Sequence, residues 1–371
     1  MAETVRLTLN EFDLQSRTAA TVMERVAAMW RAGQTVAFPT ETVYGLGAHA
    51  FDPAAVERVF AAKKRPAWDP MIVHVTERMP LGRLVSEVSA PARALMEAFW
   101  PGPLTLLLPR GPEVPDAVTA GRALVGVRVP AHPVARALIA AAAIPIAAPS
   151  ANTFGRPSPT TAAHVLEDLD GRIDAVVDGG ATWHGVESTV VDASRSPLVV
   201  YRPGAVGLEA LRGVVGDVEI YAGDAVKGAG GEPEGLPSPG VGIRHYAPRA
   251  RMVLVETREL ESRGLESRGR ENDEATIGFH LFQAVVRLRG QGNGVRVGVM
   301  APEEFKSDVS SADAVFGWGR WGDLESLAKR LFSGLRWLDA QEATHIVCPL
   351  PAERGIGWAL RDRLEKAARP A

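Results

Sequence analysis

Apolar and polar residues recur on two different periods along the first two hundred residues. Met23, Val26, Ala27 and Trp30 follow helical spacing, and Thr35-Val36-Ala37-Phe38 then reads as a short buried strand. Asp52-Pro53 supplies a helix start, a capping Asp with Pro in the first turn, and Val56, Val59 and Phe60 share one face. That helix must stop near Arg65-Pro66, because the residue before a proline avoids the helical region. Further strands are expected at 71–75, 104–108, 124–129, 144–148, 175–178, 189–192 and 198–201, with helices over 91–99, 133–143 and 160–169. The order is mixed α/β.

After Ile220 the pattern breaks. Residues 223–240 hold six glycines and three prolines, too many to pack as helix or strand, and read as a linker. A second folded unit starts near Arg251 with a strand over 252–255, then a helix near 323–338, a strand over 344–348 and a helix near 358–368. Within it, Leu260-Glu261-Ser262-Arg263-Gly264 is repeated as Leu265-Glu266-Ser267-Arg268-Gly269, a charged tandem expected as a loop insertion. The expected division is 1–208, a linker over 209–250, and 251–371.

Composition agrees with two domains: 371 residues at roughly 100–200 per domain, 46% hydrophobic and 23% charged, exclude wholesale disorder. The net charge of −3 argues against holding nucleic acid by bulk positive charge. The single cysteine, Cys348, can form no internal disulfide, which suits a reducing compartment, and its apolar neighbours predict a buried structural thiol. Met1 to Asp13 lack the apolar core of a signal peptide, and the most apolar stretch, 137–148, is too short to span a bilayer. A cytoplasmic protein without a membrane segment is expected.

Several chemistries fail on spacing. No glycine precedes a lysine, so there is no Walker A loop; the eight histidines show no zinc-type spacing; and no Gly-x-Ser-x-Gly elbow occurs. Gly317-Trp318-Gly319-Arg320-Trp321-Gly322 matches a dinucleotide fingerprint, but two tryptophans do not suit a pyrophosphate loop, and Asp339 falls at a helix end instead of a strand tip.

The polar groups of interest lie in the first unit. The segment Pro39-Thr40-Glu41-Thr42-Val43-Tyr44-Gly45-Leu46-Gly47 carries hydroxyls into a Gly-x-Gly turn that would let backbone amides approach a ligand. Lys63, Lys64 and Arg65 end a helix, where a solvated cap complementing the helix dipole is the ordinary reading. Pro149-Ser150-Ala151-Asn152 follows an apolar strand, as a plain turn or as the rim of a binding crevice. Arg128 and His74 each interrupt an apolar strand. Arg128 needs a partner, either Glu187 or a ligand carboxylate, and a lone strand histidine is more often a hydrogen-bonded core residue than a catalyst.

Taken with Trp100-Pro101-Gly102-Pro103-Leu104-Thr105, Val127-Arg128-Val129-Pro130, Gly185-Val186-Glu187-Ser188-Thr189 and Arg202-Pro203-Gly204, these segments closely resemble the threonylcarbamoyl-AMP synthases. Ser238-Pro239-Gly240, His245-Tyr246-Ala247-Pro248 and Gly355-Ile356-Gly357-Trp358-Ala359 resemble the long form. Three features depart from the family pattern: Val241-Gly242-Ile243 before the linker histidine, Asp69 and Met71 where Asn and Leu are common, and the repeat over 260–269.

The resemblance implies a YrdC-like twisted mixed sheet with flanking helices, followed by a smaller Rossmann-like α/β C-terminal domain. It implies that ATP, L-threonine and bicarbonate are converted to threonylcarbamoyl-AMP and pyrophosphate, with Mg2+ accompanying ATP and no protein ligands to it. A downstream tRNA threonylcarbamoyl transferase machinery would receive the product. Carried over by motif, Thr40, His74, Arg128, Ala148 and Ser188 are expected around threonine. Lys63, Arg65, Ala67, Leu124, Ser150, Asn152, Ser158, Arg202 and Tyr246 are expected around ATP, with Lys63, Arg65, Ser150 and Asn152 carrying the catalytic roles. Tyr246 would form part of a lid over the cleft, anchored by the second domain. The alternatives are an RNA-binding YrdC-like module without synthase activity and, a distant third, an oxidoreductase using the 317–322 glycines.

Overall fold

The computed structural model describes residues 3–221, 244–256, 270–292 and 294–370, with the backbone alone over 270–275. The chain separates into two compact units, Met1–Phe154 with Ser158–Ile243, and Gly155–Pro157 with Arg244–Ala371. The glycine-rich span 223–240, the Val241-Gly242-Ile243 departure and the repeat over 260–269 lie outside the described residues.

The first unit runs β1 (Val5–Thr8), α1 (Arg17–Arg31), β2 (Val36–Phe38), β3 (Gly45–His49), α2 (Pro53–Lys63), β4 (Ile72–His74), α3 (Ala90–Phe99), β5 (Leu104–Pro109), α4 (Asp116–Thr119), β6 (Leu124–Arg128) and α5 (Pro133–Ala142). It continues with β7 (Ile146–Ala147), α6 (Ala162–Leu169), β8 (Ala175–Asp178), β9 (Thr189–Asp192), β10 (Leu198–Arg202), α7 (Leu208–Val215) and β11 (Val218–Ile220). Local chemistry sets the helix ends. Ser16 Oγ accepts from Ala19 N at the start of α1, and Asp52 Oδ1 accepts from Ala54 N at the start of α2. Lys64 adopts φ 52° and turns the chain out of α2.

These strands form one mixed sheet in the order β1-β8-β2-β3-β7-β4-β6-β5-β9-β10-β11. Parallel pairs (β4 with β6, β5 with β9) alternate with antiparallel ones (β5 with β6, β7 with β4). A core of Val26, Trp30, Val36, Phe38, Leu138, Ile139 and Ile146 fills one side, with α1 packed on α5. Such period-matched apolar faces are what tie helices to a sheet.

The second unit contains β12 (Arg251–Val255), α8 (Arg270–Arg289), β13 (Val297–Pro302), β14 (Ala314–Gly319), α9 (Leu324–Ala340), β15 (His345–Pro349) and α10 (Gly357–Ala368). Its four strands are parallel in the order β12-β15-β13-β14. Ile277, Leu281, Val285, Val297, Val299 and Val347 form its core. Cys348 is buried and free, as expected.

Two expectations are corrected here. The linker does not begin at 209, because α7 and β11 belong to the first unit: Leu211 is fully buried and β11 pairs in parallel with β10. The Gly-x-Gly of Gly45 to Gly47 is no turn but strand β3, paired antiparallel with β2. A Cβ at Gly47 would lie 2.8 Å from both Ile146 Cγ2 and Phe38 Cε1, so glycine there serves close packing. Among the described residues no helix is long and apolar enough to cross a membrane.

Candidate active site

Four polar groups gather in the first unit. The first centres on Lys63, the last residue of α2. It is 1% exposed, and its Nζ donates to Ser150 O and Asn152 O, each at 2.5 Å. The solvated-cap reading is therefore corrected: the side chain turns inward and ties α2 to the loop after β7. Burial pushes the Lys63 ammonium well below its usual range, with the charge of Arg65 adding to the effect. The loop itself is pinned by Ala151 N donating to Tyr44 O at 2.8 Å and by an antiparallel bridge between Gly45 and Ser150.

The second group follows α2. Arg65 Nε donates to Asp69 O at 3.1 Å and Nη2 to Pro70 O at 2.6 Å, while Nη2 lies 2.9 Å from Asp69 Oδ2. Ala67 is exposed in the same turn. Leu124, at the start of β6, packs against Ile72, Leu107 and Val190, four residues along the strand from Arg128.

Arg128 and His74 end two parallel strands and face each other in register, with Ile146 of β7 opposite His74 on its other side. Arg128 is buried and held from three sides: Nε donates to Gly102 O at 3.2 Å, Nη1 to Thr42 Oγ1 at 3.0 Å, and Nη2 meets Glu41 Oε1 at 2.6 Å. The expected protein partner, Glu187, is thus replaced by Glu41. Thr40 Oγ1 lies 2.8 Å from Thr42 Oγ1 and donates to Val43 O at 2.7 Å. Burial and the neighbouring Arg128 charge hold His74 at a pKa of about 3, so its imidazole is neutral at neutral pH. Arg128 likewise keeps the Glu41 carboxyl below its usual range against the opposing effect of burial. Ala148, buried between β3 and β4, donates its N–H to Ile72 O at 2.9 Å.

The fourth group joins three strands. Ser188 Oγ lies 2.8 Å from Thr105 Oγ1 of β5, and Arg202 at the end of β10 donates to Ser188 O at 3.1 Å and Ser188 Oγ at 3.2 Å. Ser158 Oγ donates to Glu187 Oε1 at 2.5 Å. Gly204 must lack a side chain, since a Cβ would sit 2.2 Å from Thr189 N.

Every expected site residue except Tyr246 belongs to this unit. Tyr246 lies in the second, at φ 61°, packed on Phe332 at 5.7 Å and under the Arg363 guanidinium at 5.0 Å. Sequence reading assigned no role to Glu41, Thr42 or Thr105, although all stand inside the quoted motifs, and offered Glu187 to Arg128, whereas it accepts from Ser158 instead. No spacing rule pairs Glu41 with a residue 87 positions away. The 317–322 glycines are no dinucleotide loop: Trp318 is fully buried with Nε1 donating to Leu327 O at 2.8 Å, and Asp339 accepts the backbone N–H groups of Arg249 and Ala250.

The chain is similar to known proteins over nearly its whole length. Residues 28–204 match a family model described as telomere recombination, and residues 206–369 match the threonylcarbamoyl-AMP synthase C-terminal domain. The threonylcarbamoyl-AMP synthase of Pyrococcus abyssi is 41% identical, covering 93% of each chain; that of Bacillus subtilis is 42% identical, over 93% of this chain and 92% of its own. A crystal structure of P. abyssi Sua5 complexed with L-threonine superposes with a TM-score of 0.81 at 37% identity, covering 99% of this chain and 98% of that one. A His/Tyr double-alanine variant of the same protein gives 0.83 at 38%, covering 98% and 96%. With relatives this similar over nearly their whole length, and a family-model match on each part, the chain belongs to the threonylcarbamoyl-AMP synthase family, in its long two-domain form.

Proposed function

We propose that this chain condenses ATP, L-threonine and bicarbonate into threonylcarbamoyl-AMP and pyrophosphate. The observation that carries the reading is the near full-length similarity to synthases of that name. Threonine's amine adds to bicarbonate with loss of water, giving an N-carboxylate. One of its oxygens attacks the α-phosphorus, and the bond to pyrophosphate breaks. The step needs alignment and charge neutralisation more than an acid–base dyad.

Arg128 is proposed to receive the threonine carboxylate, since a guanidinium fork matches it and the existing Glu41 contact keeps that fork oriented. Neutral His74 adds no charge to repel the ammonium, and Thr40 and Ser188 supply hydroxyl partners. Lys63, Arg65 and Arg202 are proposed to face the phosphates, with Ser150, Asn152 and Ser158 as polar donors and Ala67, Leu124 and Ala148 as packing contacts. Tyr246 is proposed to close over the nucleotide and exclude water, which protects a fragile mixed anhydride. The cationic residues suit phosphate oxygens better than a bare metal ion. Mg2+ is accordingly proposed to enter bound to ATP, where it supplies charge neutralisation between phosphates. Hand-off of the product to a tRNA threonylcarbamoyl transferase machinery, and a cytoplasmic setting, complete the proposal.

Pyrophosphate release tests it. Release is expected only with ATP, threonine and bicarbonate together. Release without threonine, or none in any mixture, would sink the synthase reading, and tRNA retention without any release would favour the RNA-binding module.

A further inference from the structure

Asp69 stands among the cations assigned above to nucleotide, yet no step of the reaction uses it. It is fully buried, and its Oδ2 lies 2.9 Å from Arg65 Nη2. A second guanidinium adjoins it, because Arg122 Nη2 donates to the carbonyl of the preceding residue, Trp68, at 2.9 Å. Lys63 and Arg202 also act on its charge. Neither carboxylate oxygen accepts a well-aligned hydrogen bond among the described residues. Burial pushes its carboxyl up, and the four cations offset this only in part, so it sits above the usual carboxylate range. Arg65, by contrast, does not depend on this carboxylate for its placement, since the carbonyls of Asp69 and Pro70 both hold its fork.

We propose that Asp69 is a built-in counter-ion of the phosphate site, a positioning residue whose carboxylate engages Arg65 before nucleotide arrives and competes with the phosphates for it afterwards. The inference rests on the nucleotide assignment made above. Four cations gathered in a low-dielectric site repel one another, and one buried carboxylate relieves that repulsion. The same negative charge opposes an entering triphosphate and favours departure of pyrophosphate. Asp69 thereby trades nucleotide affinity for an assembled site and for turnover.

The test is Asp69→Asn in the full chain, which removes the charge and keeps the shape. ATP and pyrophosphate are titrated calorimetrically with Mg2+ present, and threonine is titrated separately. The variant is expected to bind ATP and pyrophosphate about tenfold tighter, with threonine affinity unchanged and kcat no higher, because pyrophosphate leaves more slowly. Asp69→Glu, which keeps the charge, is expected to bind ATP as the parent does. Unchanged ATP binding in Asp69→Asn overturns the proposal. So does weaker binding with an altered Mg2+ requirement, which would make Asp69 a metal ligand. Should Asp69→Asn lose threonine binding as well, Asp69→Ser in the same titrations decides in its place, by the same criterion. A chain that binds ATP but makes no threonylcarbamoyl-AMP defeats the proposed function and leaves the affinity ratio readable. A working synthase whose Asp69→Asn variant binds ATP no tighter defeats this inference alone.

Discussion

Lys63 carries its amine to a place water does not reach, between two carbonyls of one loop. Lys63→Met keeps the stem and removes the donor, and is expected to lower the rate of pyrophosphate release about 100- to 1,000-fold, measured in single turnovers. Lys63→Ala is expected to cost stability as well, because two carbonyls lose their donor and a cavity opens. His74 makes a prediction about pH. Its folded pKa of about 3 lies below the ordinary 6.5. Below pH 6.5 the unfolded chain therefore takes up a proton that the native chain refuses. The contribution is full above 6.5 and is lost progressively as pH falls toward 3. In His74→Gln that part of the loss is expected to vanish, seen as a smaller drop in denaturation midpoint between pH 7 and pH 4.5. Arg128 and Glu41 form a buried pair, so Arg128→Gln leaves an uncompensated carboxylate and is expected to cost about 3–5 kcal/mol. Adding Glu41→Gln is expected to recover much of that loss while threonine binding stays impaired.

Strands and helices explain why these side chains meet. Parallel pairing of β4 and β6, two short runs buried on both faces, puts His74 opposite Arg128. Most of these elements were legible from periodicity: β8 and β9 fall on their expected residues, and α3, α5, α9 and α10 within two residues of theirs. Those that escaped have physical reasons. β3 carries two glycines whose missing side chains make room for Phe38 and Ile146, so its sequence imitates a turn. α7 and β11 are short, eight and three residues, and owe their place to burial against the rest of the unit. Leu211→Ala in α7 is accordingly expected to cost about 2–5 kcal/mol, read as a lower denaturation midpoint. A true linker residue would cost almost nothing.

Each unit of the whole molecule has its own core, one under the long mixed sheet and one around four parallel strands. Because Thr40, His74, Arg128 and Ser188 all belong to the first unit, threonine is expected to raise that unit's unfolding midpoint in calorimetry. At a hundredfold excess over Kd the gain is about 2.7 kcal/mol. The near-neutral charge of −3 supplies no bulk positive field for holding nucleic acid. By itself the sequence determined the two folded units, the order of most elements, the buried thiol and the family, since periodicity and motifs act over a few residues at a time. It also named the residues proposed for the site. Only the tertiary structure decided which charges meet: Lys63 with a loop 87 residues on, Arg128 with Glu41 in place of Glu187, and Asp69 with the cations around it. Those pairings depend on how strands far apart in the chain lie side by side, and on the burial that makes an unpaired charge costly; neither is written in any local pattern.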